Sequence, residues 1–156
     1  MLRRIVAKSG RPMTTSILQR DNKPEEWRRV MRAITEANAQ GHTMTGQVST
    51  RPTGVLLGFE ISQNPFSGCA SWREVESLPH EARMARLRDP AFRAKLLAEP
   101  TADGSMARRV TRWDRIFEFG DPPNYEPRAE DSVAARAAVA GQDPQEYCYD
   151  LLLEKN

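Results

Sequence analysis

Apolar and polar positions change period twice within the first fifty residues. Leu2 to Lys8 reads as the final turns of a helix, and Gly10-Arg11-Pro12 ends it, since Gly supplies a left-handed cap and Pro cannot continue a helix. Met13 to Leu18 is short, apolar and β-branched, which predicts a buried strand. Gln19 to Lys23 is polar and turns the chain. Pro24 then occupies the first turn of a helix, with Glu25 and Glu26 near its positive end. Trp27, Val30, Met31, Ile34 and Ala37 follow at steps of three and four, giving one apolar helical face. Gly41 stops this helix, and Thr43 to Val48 predicts a second strand.

Beyond Pro52 the pattern becomes mostly helical. Gly54 to Ile61 is apolar and punctuated by Gly, and Asn64-Pro65-Phe66-Ser67-Gly68 has loop chemistry. Ser71 and Glu74 form an S-x-x-E capping box with Trp72 and Val75 as apolar anchors. Pro79 opens a helix carrying Ala82, Met84, Ala85 and Leu87. Asp89-Pro90 is a cap and first-turn signal for another, with Phe92, Leu96 and Leu97. Thr101 to Ser105 is a loop, Arg108 to Arg115 is helical, and Ile116 to Phe119 is the candidate third strand. The three prolines between Asp121 and Pro127 deny that stretch ladder donors. Ser132 to Ala140 is an Ala-rich helix ended by Gly141. Asp143-Pro144 opens a last helix with Tyr147, Cys148, Leu151 and Leu152 on one side.

Two strands joined by so long a helix are expected to be parallel with a right-handed crossover. In parallel α/β folds, ligands sit at the carboxyl ends of the strands. Those positions are Gln19, Arg20 and Asp21 after the first strand, and Gln47, Ser49, Thr50 and Arg51 after the second. Two or three strands neither cover both faces of a parallel sheet nor close a barrel, which takes about eight. The expectation is an α/β fragment of a larger protein that exposes apolar surface when alone.

Composition narrows the class. Hydrophobic residues are 39% and charged residues 28% of the 156, a globular and soluble balance. No apolar run nears the roughly 20 residues that span a bilayer, and Met1 to Lys8 lacks the apolar core of a signal peptide, so a cytoplasmic location is expected. A net charge of +2, with Glu25, Glu26, Arg28, Arg29, Arg32 and Glu36 interleaved, fits a solvated helix face and not a nucleic-acid surface. Cys69 and Cys148 lie far apart without a C-x-x-C pattern, as buried or incidental thiols would.

No short catalytic signature is present. His42 and His80 are isolated, Glu60 and Asp114 lack a carboxylate mate, and Trp27, Trp72 and Trp113 fall at core-packing spacing. Gln19, Gln47 and Arg51 stand out by position, because amides donate and accept hydrogen bonds and an Arg fork grips a carboxylate. Arg51 reads equally as a loop residue bonding backbone carbonyls.

Several segments in order, Gly10-Arg11-Pro12, Gln47-Val48-Ser49-Thr50-Arg51-Pro52-Thr53-Gly54 and Asn64-Pro65-Phe66, carry a resemblance to a known family. So do Leu78-Pro79, Leu87-Arg88-Asp89-Pro90, the run from Gly120 to Pro127, and Tyr149-Asp150-Leu151-Leu152-Leu153. Together they resemble the D-aminoacylase, or N-acyl-D-amino-acid deacylase, branch of the amidohydrolase superfamily (amidohydrolase family 3). The resemblance implies a (β/α)8 TIM barrel that hydrolyses the amide of N-acyl-D-amino acids or related compounds. It implies one or two divalent metals, usually zinc, whose bound water has a pKa near about 7. On it, residues 1–53 are a β-α-β portion of the barrel, 54–120 a mostly helical insertion, and 121–156 a loop and helices returning to the barrel.

The family's H-x-H on its first strand and catalytic Asp on its last have no counterpart among these residues. Where the family places histidines on two consecutive middle strands, Gln19 and Gln47 stand, and amides are poor zinc ligands. No metal ligand and no catalytic residue is therefore assigned. Gln19, Gln47 and Arg51 are the expected substrate-binding residues of a fragment that is inactive and metal-free alone. Its partners would be a small-molecule N-acyl amino acid and further copies in a homo-oligomer, with neither nucleic acid nor membrane. The alternative is a non-enzymatic α/β interaction or regulatory module.

Overall fold

The computed structural model describes residues 1–20, 23–50, 54–100 and 107–155. The expected loop of Thr101 to Ser105, and Asp21 and Arg51 among the candidate site residues, lie outside them. The chain divides into two units, Met1–Thr53 and Gly54–Asn156.

In the first unit, α1 (Leu2–Ser9) ends at Gly10, whose φ of 64° lets its N–H reach Val6 O. β1 (Met13–Ser16) leads to α2 (Glu26–Ala39) and then β2 (Met44–Gln47). Pro24 lies in the turn before α2, with Glu25 at the N-cap, so the helix begins later than its sequence signals predict. At its other end Gly41 (φ 82°) donates to Asn38 O and His42 to Ala37 O, the paired bonds of a Schellman stop. The strands pair parallel, Met13 opposite Met44 through Ser16 opposite Gln47, and the ladder closes with Ile17 N–H on Gln47 O. Asn38 ties helix to sheet, its amide donating to Met44 O at 2.9 Å and accepting from Met44 N–H at 2.8 Å.

The sheet is covered on one face. Ile17 and Met44, with Met13, pack against Val6 of α1 and Trp27, Val30, Ile34 and Ala37 of α2. Gly46 sits on this face because a Cβ there would collide with Ile17 and lie 3.3 Å from Ile34 Cδ1. On the opposite face Thr14 and Thr45 are exposed and share a hydroxyl–hydroxyl bond of 2.9 Å. Both strands were predicted longer, and the first as buried. Instead the ladder stops at Ser16 and Gln47, and Leu18 and Val48 lie past the strand ends at 48% and 65% exposure. Met31, expected on the apolar face of α2, is likewise 40% exposed.

The second unit has its own interior. After a turn-rich segment come a 3-10 turn (Ser71–Glu74), α3 (His80–Leu87) and α4 (Pro90–Leu97). A short α5 (Ala107–Val110) and a 3-10 turn (Trp113–Arg115) precede α6 (Val133–Ala140) and α7 (Pro144–Glu154). Local chemistry sets several starts. Asp89 accepts from Phe92 N–H at 2.7 Å, Ser132 from Ala135 N–H, and Asp143 from Gln145 N–H, with Pro90 and Pro144 in the first turns. The core joins Phe59, Phe66, Cys69, Trp72, Val75, Met84, Leu87, Phe92 and Leu96 to Tyr149 of α7. Ile116 to Phe119 forms no strand; a single antiparallel bridge links Phe117 to Ser132, since too few neighbouring residues pair to extend a ladder. The architecture shown is mixed α/β, with a two-stranded parallel sheet among the described residues.

Candidate functional site

The parallel pair assigns each strand residue a face. Because side chains alternate, Thr14 and Ser16 share the open face with Thr45 and Gln47, opposite the face that α2 covers. Gln47 ends β2 directly across from Ser16, at the carboxyl end where parallel sheets present ligand-binding groups. Gln19 follows three residues after Ser16, also exposed, so both predicted amides lie at this end of the sheet. Among the described residues neither side-chain amide makes a hydrogen bond, and nothing ties the two together. Arg51 lies outside the described residues. Arg20 is held to the start of α2 by Glu26 Oε2 at 3.6 Å, which directs its charge at the helix.

The open face therefore carries hydroxyls and an amide and no ionisable group. Such a set donates and accepts hydrogen bonds, but it neither moves a proton near neutral pH nor supplies charge. For zinc the donors do not fit, since imidazole, thiolate or carboxylate is needed in sets of three or four. No group of three or more His, Cys, Asp or Glu is placed to hold a metal among the described residues. His42, half-buried, precedes β2, away from the carboxyl end.

Among the described residues, the ionisable groups with shifted pKa values belong to the second unit, where the charged ones are held by hydrogen-bond partners and the cysteines by burial. Ser71, predicted to cap with Glu74, instead gives its N–H and hydroxyl to Glu99, which lies 28 residues on. Those bonds hold the Glu99 carboxyl below its ordinary pKa. The box fails because the turn at Ser71 is 3-10 and no side chain caps it. Lys155 and Arg136 flank Glu118, at 2.6 and 2.8 Å, and lower its pKa in that order of effect. They border a groove of about 450 Å3 whose nearest charges are already paired. Arg93 forks onto Asp150 at 3.0 and 2.9 Å. Arg83 donates to four backbone carbonyls, those of Phe59, Val75, Glu76 and Leu78. His80 meets Glu60 at 3.2 Å in an exposed pair, and Asp114 is matched by Arg112 at 2.7 Å.

Both cysteines are buried free thiols, as their spacing predicts. Burial pushes Cys148 to about 12, which removes the thiolate a nucleophile or metal ligand needs. Sequence reasoning missed Tyr149, placing Tyr147 on the buried side of the last helix. Tyr149 is fully buried and donates to Leu87 O at 2.6 Å, while Tyr147 lies outside that core, with the Arg136 guanidinium 5.7 Å from its ring centre. The spacing of Tyr149, Leu152 and Leu153, at i, i+3 and i+4, was the available signal.

Among the described residues no helix is long and apolar enough to cross a membrane. No family model, no curated protein and no solved structure matches this chain.

Proposed function

We propose that these residues are part of a metal-dependent amidohydrolase of the D-aminoacylase type, which cleaves the amide of N-acyl-D-amino acids or related compounds in the cytoplasm. The observation that carries this reading is the one-sided β1-α2-β2 unit. A helix covers one face of two parallel strands, and the other face is polar and open. The wall of a (β/α)8 barrel shares the helix-covered outer face, whereas its inner face is ordinarily filled by Val, Ile and Leu, from which the polar Thr14, Ser16, Thr45 and Gln47 depart. The ordered resemblance of segments from Gly10 to Leu153 supports the same family. On this reading Gln19, Gln47 and Arg51 contact substrate at the strand ends. Zinc is held by residues other than those described, and the piece alone is inactive.

The test is to purify the longest polypeptide encoded in frame with these residues. Zinc is measured by mass spectrometry, and free D-amino acid release is followed from N-acetyl-D-amino acids. Bound zinc with turnover is expected, together with a rise in KM of several-fold for Gln47→Ala as its hydrogen bonds are lost. A pure, folded protein with neither metal nor hydrolysis refutes the assignment.

A second reading, a non-enzymatic α/β interaction or regulatory module, draws on the buried aromatic cluster of the second unit, which joins Phe59, Phe66 and Trp72 to Tyr149. It predicts a cooperative melt and a monodisperse particle for the 156 residues. Strong binding of a hydrophobic dye, or self-association that completes the sheet in a homo-oligomer, counts against it.

A further inference from the structure

We draw no further inference here: the strongest candidate, the uncovered face of the two-stranded sheet at Thr14, Ser16, Thr45 and Gln47, carries nothing because nothing in the structure shows what covers it.

Discussion

Replacing Tyr149 with Phe tests the long-range tie that joins α7 to the rest of its unit. The phenol is fully buried and donates a hydrogen bond to Leu87 O, at the end of α3 and 62 residues away in sequence. Its ring meets Phe59 and Phe66 edge-on, with centroids 5.4 and 5.2 Å apart. Phe keeps those contacts and deletes only the hydroxyl, leaving a buried carbonyl short of a donor, a loss of about 1–3 kcal/mol. Truncation to Ala removes the ring as well and is expected to cost about 3–5 kcal/mol. For a domain of roughly 100 residues, each kcal/mol lowers Tm by about 4–8 °C.

The same hydroxyl makes a pH prediction. Burial raises the Tyr149 pKa from 10.0 to about 12, so the folded form holds its proton after the unfolded form has lost it. The raised group leaves stability intact below pH 10 and erodes it as pH climbs through 12, with a slope of about 1.4 kcal/mol per pH unit in between. The assay is urea unfolding at pH 7 and at steps from 9.5 to 11.5, read by near-UV circular dichroism of the aromatic cluster. Wild type is expected to lose about 1.7 kcal/mol more than Tyr149→Phe across that window. Equal stability at pH 7 and parallel alkaline slopes refute the reasoning.

Three further outcomes are expected. Gly46→Val places methyl groups against Ile17 and Ile34 and should cost about 1–3 kcal/mol; faster amide exchange in β1 and β2 reads this, and unchanged protection contradicts the packing. Glu99 has a lowered pKa from the Ser71 bonds, so its contribution is present above the ordinary carboxylate range and fades as pH falls through the depressed value. Glu99→Gln should therefore flatten the acid limb of the stability curve, and an unaltered acid limb argues against the latch. Cys69 and Cys148 should resist thiol reagents at pH 8 until the protein unfolds, since both are buried with raised pKa values; rapid native-state labelling of either contradicts their burial.

Local chemistry was readable without coordinates. The caps at Asp89 and Asp143, the left-handed stops at Gly10 and Gly141, and the β1-α2-β2 order all rest on interactions spanning a few residues. The positions of Gln19 and Gln47 at the carboxyl ends of their strands follow from the same order, because strand direction is set by the crossover. Tertiary structure alone decided which face of the sheet is covered, that Ile116 to Phe119 makes one bridge and no strand, and that Glu99 displaces Glu74 as the partner of Ser71. It also decided that Tyr149 and not Tyr147 enters the core. A cap is satisfied by neighbours that the sequence already holds adjacent, whereas these choices depend on segments brought together only when apolar surface is buried. Periodicity states that a side is apolar; the neighbour it packs against is fixed by the fold.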